Sequence, residues 1–335
     1  MTGRRTGRVR WVLGVDSGGS GFRIALAPVG SGVVDLCGGD AIVSEEPVRT
    51  GPAGIDAAAL LERLLPTART LLGRAGAPGP DAIAIGAAGM ATLGDELRAV
   101  LPAALGSGLG ANAIALAADA VTAYVGALGQ RPGVVVAAGT GMVALGTDLA
   151  TWRRADGWGH LLGDRGGGAW IGRAGFEAAL CAHDGRAGGS AALLARLEKV
   201  FGPPDQLPGL LYPRSDRPAL LASFAPEVAA CAVDDPVASR VLEDAAGHIT
   251  AAAAAVCPPP TAGECEVALT GGLFKLGEPL LAPLSAALSR RLPHARLVAA
   301  AGDPLAGALT VAAALATERL IVPRDGRLLR VTTGR

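Results

Sequence analysis

Aromatic residues are scarce in this chain, with Phe, Trp and Tyr supplying only 3 % of its 335 residues. A core without rings must be filled by small and branched side chains. With 50 % hydrophobic residues and 49 glycines, the chain reads as Ala, Val, Leu and Ile layers with close backbone approach, a composition suited to parallel sheets covered by helices. Cysteine is also sparse. The five (Cys37, Cys181, Cys231, Cys257, Cys265) are widely spread and never form a Cys-x-x-Cys pair, which argues against a disulfide framework or a zinc or iron–sulfur site and for reduced, cytoplasmic thiols. An excess of either charge is missing too. Thirty basic residues balance thirty acidic ones, leaving no electrostatic footprint for nucleic acid or an anionic membrane. No apolar run approaches the ~18 residues a membrane span needs, since the Ala-rich stretch 251–256 is flanked by His248 and Pro258. The basic start (Arg4, Arg5, Arg8, Arg10) is followed by an apolar run broken at Asp16, without a cleavage-like site, and so does not read as a secretory signal. A small-molecule partner is what these absences leave.

The length, at roughly one domain per 150 residues, suggests two lobes. Residues 11–16 and 22–27 are apolar runs separated by Ser17-Gly18-Gly19-Ser20-Gly21, the pattern of a β-hairpin. A third strand is expected at 32–37 and a helix at 55–74, where Ile55, Leu60, Leu61, Leu64, Leu65, Leu71 and Leu72 recur at helical spacing. Strand 81–86, helix 94–105, strand 113–118 and helix 119–129 then alternate, which implies a parallel sheet. A second glycine-centred hairpin is expected at 133–147. Helices follow at 167–182, 190–200 and 236–256, the last with Asp235 as N-cap and Pro236 at its first position. A strand at 266–270, a helix at 278–291, a strand at 296–300 and a helix begun by Asp303-Pro304 close the pattern. The proline-rich stretch 202–218 reads as an irregular surface excursion.

Three glycine-rich turns could carry chemistry. In Asp16-Ser17-Gly18-Gly19-Ser20-Gly21, glycines admit a polyphosphate to backbone N–H groups, the serine hydroxyls add donors, and Asp16 could reach Mg²⁺ directly or through water. Neither a Walker A loop nor a dinucleotide fingerprint is present. Ala138-Gly139-Thr140-Gly141 is a second phosphate candidate, and Thr270-Gly271-Gly272 ends a strand where a flat purine could slide against backbone. Each alone also reads as a plain tight turn.

Taken in order, VDSGG near the start, AADA at 117–120, AGTG at 138–141, GWGHLLGDRGGGAWIG at 157–172 and LTGG at 269–272 resemble the BadF/BadG-type ATPases and, within them, the N-acetylglucosamine kinases. The resemblance runs from Val12 to the segment 303–308. It implies an α/β actin-like ATPase fold, with two ribonuclease-H-like lobes around a nucleotide and sugar cleft: 1–118, joined by a returning helix at about 303–320, and 119–302. It implies ATP and Mg²⁺ as cofactors and a sugar as substrate; a homodimer is the expected assembly. Ser17, Gly18, Gly19, Ser20, Gly139, Thr140, Gly141, Gly271 and Gly272 would bind ATP, and Asp16 the metal. Asp119 matches the catalytic carboxylate that accepts the sugar hydroxyl proton, although an Asp opening a helix can equally be an N-cap. Gly89, Gly157, Trp158, Asp164 and Gly168 would bind the sugar, Asp164 through its paired acceptors and Trp158 by covering a ring face. A structural loop around a core tryptophan is the plain alternative, and His160 is assigned to structure.

Two departures bear on the substrate. The stretch Thr50-Gly51-Pro52-Ala53-Gly54-Ile55 lacks the Asn such kinases use on the sugar, and Asp164-Arg165-Gly166 replaces Asp-Glu-Gly. Arg165 could favour an anionic substituent, which keeps N-acetylmuramate beside N-acetylglucosamine and glucosamine as candidate substrates. The competing readings are an activator ATPase, which would need cluster-binding cysteines at a dimer interface, and a non-catalytic sugar sensor, which would need no base.

Overall fold

The computed structural model describes residues 9–19, 21–30, 33–34, 40–51, 54–259 and 265–334. They divide into two compact units, one made of Met1–Arg131, Leu149–Trp152 and Ala300–Arg335, the other of Pro132–Asp148 and Arg153–Ala299.

The first unit is built on a seven-stranded sheet in the order Leu329–Thr333, Ala113–Ala118, Ala82–Ala87, Arg10–Gly18, Gly21–Gly30, Val33–Val34, with Asp40–Ser44 also paired to Gly21–Gly30. The strands Arg10–Gly18, Ala82–Ala87 and Ala113–Ala118 are parallel and almost wholly buried, as continuous apolar runs such as Ala82-Ile-Ala-Ile-Gly-Ala require. Helix Pro304–Ala316 lies across this sheet and against helix Asp119–Leu128. Glycine permits both contacts. A Cβ on Gly14 would meet Leu309 at 2.8 Å, and one on Gly307 would meet the carbonyl of Thr122 at 1.9 Å. This backbone-to-backbone seating holds Asp119–Leu128 with the first unit, so the chain leaves that unit at Arg131 and not at the expected 118.

The second unit repeats the plan. Its sheet runs Trp152–Asp156, Met142–Thr147, Gly133–Ala138, Cys265–Thr270, Ala295–Val298: an antiparallel meander whose first strand carries two parallel strands on its other side. Helices Pro236–Val256 and Glu278–Arg291 pack on it, Gly168–His183 packs on Pro236–Val256, and Ala191–Phe201 packs on Gly168–His183. Three of the five phenylalanines, Phe176, Phe201 and Phe224, meet in one cluster among these helices, with ring centroids 5.0 to 5.8 Å apart. The expected ribonuclease-H-like topology is therefore present twice.

Several local expectations also hold. Asp235 caps Pro236–Val256 by accepting from the N–H groups of Val237 and Ala238. The stretch 202–218 is less irregular than its prolines suggest, because prolines start helices as readily as they break them: Pro204–Gln206 is a 3₁₀ turn, and Leu207–Leu211 and Arg217–Ala222 are short helices. Of the strand expected at 32–37, Val33–Val34 is seen, and residues 35–39 lie outside the described ones. Strands Trp152–Asp156 and Leu329–Thr333 were not foreseen. Both are edge strands, short and partly exposed, with little apolar alternation to mark them.

The glycine seating yields an expectation. Gly307→Val should force two helix backbones apart and destabilise the protein by roughly 3 kcal/mol or more. Denaturant melts check this, and an unchanged midpoint would mean the helices can separate freely.

Candidate functional site

In the first unit the carboxyl-terminal ends of three parallel strands lie side by side, Ser17 in register with Ala87 and Ala87 with Ala118. Gly18 and Gly19, Gly89 and Asp119 therefore follow one sheet edge, the place where open α/β sheets take ligands. A Cβ added at Gly18 or Gly19 would meet nothing within 4 Å. Beneath this turn Ser17 is fully buried and its Oγ has no hydrogen-bond partner, an orphaned donor that an arriving acceptor could satisfy. Ser20 lies outside the described residues. Gly89 adopts φ 73° at the start of the short helix Met90–Leu93.

Asp16, only 8 % exposed, shares an ion pair that the sequence reading missed. Its cross-strand partner is Arg23, which donates to Asp16 Oδ2 from Nη2 at 2.5 Å and Nε at 3.0 Å, and from Nη1 to Asp303 Oδ2 at 2.6 Å. Asp303 in turn caps helix Pro304–Ala316, its Oδ1 accepting from the N–H of Ala306 at 2.9 Å. Burial pushes the Asp16 carboxyl above the usual carboxylate range, while the Arg23 hydrogen bonds and charge pull it back.

Asp119 begins helix Asp119–Leu128, but the capping position belongs to Ala118. The Asp119 carboxylate accepts the N–H of Ala120 at 2.9 Å and stands in the first turn, where the helix dipole favours its charge. The alternative reading of Asp119 as a helix N-cap thus does not describe its geometry.

In the second unit the remaining residues form one cluster. The carbonyls of Gly139 and Thr140 accept the N–H groups of Gly168 and Ala169, both at 2.8 Å, which fastens the Gly139–Gly141 turn to the start of helix Gly168–His183. Gly168 is buried with its N–H so engaged, so it acts here as an anchor of that turn. Gly271, at φ 106°, passes so close to the hairpin that a Cβ would strike the carbonyl of Ala138, whereas Gly139 and Gly272 face open space. Gly141 leaves room for the Asp164 carboxylate, whose Oδ2 lies 2.2 Å from where a Cβ would stand.

The loop carrying Asp164 is shaped by left-handed backbone at Asp156 (φ 62°), Gly157 (φ 75°), Gly159 (φ 85°), Asp164 (φ 55°) and Gly166 (φ 87°). Asp156, also missed from sequence, holds it closed: its carboxylate oxygens accept the N–H groups of Asp164 and Arg165. Asp164 Oδ1 accepts from the N–H of Gly159 at 2.9 Å. Burial, and secondarily the charge of Asp156, raise the Asp164 carboxyl above its ordinary value, against the Gly159 hydrogen bond. Trp158 is 61 % exposed, with the Arg154 guanidinium 4.3 Å from its ring centroid, so it is a displayed ring and not a core tryptophan.

These residues suit a nucleotide and a hard cation. Among the described residues no group of three or more His, Cys, Asp or Glu could hold a metal ion alone. A magnesium ion that keeps its waters and takes one or two carboxylates plus phosphate oxygens asks for no more than Asp16. No described helix is long and apolar enough to cross a membrane.

A family model described as the BadF/BadG/BcrA/BcrD ATPase family matches residues 13–312. An N-acetylmuramic acid/N-acetylglucosamine kinase of Clostridium acetobutylicum is 39 % identical over 69 residues, which is 20 % of this chain and 22 % of that protein. The match thus spans about a fifth of the curated relative's length. Among solved structures, a candidate N-acetylglucosamine kinase of Chromobacterium violaceum is 30 % identical with a TM-score of 0.69, covering 90 % of this chain and 98 % of the other. A candidate N-acetylglucosamine kinase of Porphyromonas gingivalis (18 % identity, TM-score 0.65, 89 % and 96 % covered) and a ROK hexokinase of Thermus thermophilus (19 %, 0.54, 92 % and 99 %) share the fold.

Because folding lifts the Asp164 pKa, its ionised carboxylate costs stability at every pH above the raised value, a cost that vanishes as pH falls below the ordinary 3.8. Asp164→Asn, which keeps an acceptor for Gly159, should therefore raise the melting midpoint at pH 7. The gain should fade in acid. Melts of both proteins across pH provide the check, and a less stable Asn variant at pH 7 would contradict the assignment.

Proposed function

The chain belongs to the BadF/BadG/BcrA/BcrD ATPase family, and from that membership we propose that it is an ATP-dependent kinase acting on a hydroxyl of an amino sugar, N-acetylglucosamine first. The observation that carries the reading is Asp119, a carboxylate at the end of a parallel strand on the same sheet edge as the Asp16–Gly19 turn. A base there can accept the proton of an attacking sugar hydroxyl. The names of two relatives, an N-acetylmuramic acid/N-acetylglucosamine kinase and a candidate N-acetylglucosamine kinase, support the same class.

The open backbone at Gly18 and Gly19 in the first unit is read as phosphate-binding, that at Gly139 and Gly272 in the second as nucleotide-binding, and Asp16 as the residue that would hold Mg²⁺, whose charge would offset that of the phosphates. Burial raises the Asp16 pKa, and the hydrogen bonds and charge of Arg23 oppose that rise, which favours the carboxylate that cation binding requires. Asp164 would accept two neighbouring sugar hydroxyls, and the displayed Trp158 would cover an apolar ring face. Arg165 is exposed beside Asp164, which favours an acidic substituent and makes N-acetylmuramate the second substrate to try.

An ADP-release assay against N-acetylglucosamine, N-acetylmuramate, glucosamine, N-acetylmannosamine and glucose tests the class, and absence of sugar-stimulated turnover with all five would overturn it. On the best sugar, Asp119→Asn should lower kcat by roughly 10²–10⁴-fold with little change in sugar KM, whereas Asp164→Asn should raise sugar KM first. Near-normal kcat in Asp119→Asn would refute the base assignment. Gly139→Val, whose added Cβ would have no atom within 4 Å in the folded protein, should weaken ATP binding at least tenfold, about 1.4 kcal/mol by calorimetry, without loss of folding. Turnover should stop in EDTA and return with Mg²⁺.

A further inference from the structure

One pair of side chains has no part in this chemistry. Cys257 follows helix Pro236–Val256 and Cys265 opens strand Cys265–Thr270, so two thiols that look unrelated in sequence flank one short connection. Their Sγ atoms are 3.0 Å apart, and both cysteines are free. The remaining gap to a bond of ~2.05 Å is small on the scale of side-chain rotation. Both residues are buried, Cys257 with 9 % of its surface exposed and Cys265 with 3 %, so the more accessible of the two is Cys257. Half-buried His294 places Nε2 3.6 Å from Cys257 Sγ.

We propose that Cys257 and Cys265 form a thiol–disulfide exchange site for low-molecular-weight disulfides, with Cys257 as the attacking thiol and Cys265 as the resolving one. The assignment of roles follows from the surroundings. The hydrogen bond between the two thiols, then the nearby His294, lower the Cys257 pKa, whereas the same bond and burial raise that of Cys265. The Cys257 thiolate attacks one sulfur of, for example, oxidised glutathione; the glutathione disulfide breaks, one glutathione thiolate leaves, and a mixed disulfide remains on Cys257. With the thiolate capped, Cys265 loses the interaction that held its proton. It passes that proton to the departed thiolate, attacks Cys257 Sγ and expels the second glutathione. The protein dithiol loses two electrons and two protons, and one glutathione disulfide becomes two thiols, the second expelled thiolate taking from solvent the proton that Cys257 released on ionising. The product ties the end of helix Pro236–Val256 to the start of the strand that leads to Gly271 and Gly272.

The test uses the whole folded chain, reduced, freed of reductant, incubated with oxidised glutathione, quenched with an alkylating agent and mapped by peptide mass without reduction. The expected result is a Cys257–Cys265 link, with a melting midpoint several degrees above that of the reduced protein. Cys265→Ser should trap glutathione on Cys257, and Cys257→Ser should leave Cys265 unmodified. His294→Gln should slow adduct formation. Where a serine hydroxyl upsets the packing, Cys265→Ala and Cys257→Ala serve the same purpose. Both thiols staying reduced, a link that forms only in denaturant, or a persistent glutathione adduct in the unaltered protein would each overturn the proposal. Kinase turnover is not the readout, so its outcome is independent of the sugar reading.

Discussion

A single guanidinium organises the functional edge of the first unit. Arg23 bonds Asp16 across the hairpin and Asp303 at the start of helix Pro304–Ala316, so one positive charge is shared by two carboxylates on separate stretches of chain. Without it, burial would favour the neutral acid at Asp16, and a neutral acid is a poor ligand for a hard cation. The same bond fixes where the returning helix begins. That helix rests on Gly14 and on Gly126, so the orientation of the strand end, the turn after it and the helix carrying Asp119 all follow from a contact that spans about 280 positions.

Much of this architecture was legible before the structure because it is written locally. The two glycine-centred hairpins, the alternation that gives parallel strands, and the Asp235-Pro236 helix start each depend on neighbouring residues, and all appear in place. What escaped depends on partners far along the chain or on backbone conformation. Arg23 looked like one more strand residue, since nothing near it foretells Asp303. Asp156 gave no sign of closing a loop, because its role needs its own left-handed φ and two N–H groups eight and nine residues ahead. The meeting of Cys257 and Cys265 requires the helix and strand beside them to be packed first.

In the second unit glycines matter as much for what they omit as for what they bend. The missing side chain of Gly141 is the space in which the Asp164 carboxylate sits, and the missing side chain of Gly271 lets one strand end pass against another turn. A carboxylate placed this way is held by backbone on several sides. Its position is therefore set by the path of the chain, and the exposed Trp158 beside it is free to meet a ligand.

The division of the chain carries a consequence for biosynthesis. The second unit is an insertion, nearly continuous from Pro132 to Ala299, whereas the first needs the segment Ala300–Arg335 to supply its covering helix and its edge strand. A ribosome delivers residues in order, so the inserted unit can fold as it emerges. The earlier-made sheet must wait, its apolar face bare, until helix Pro304–Ala316 arrives to cover it. During that interval the Ala- and Ile-rich strands Ala82–Ala87 and Ala113–Ala118 lack their lid, so the order of synthesis leaves this apolar sheet of the chain uncovered longest.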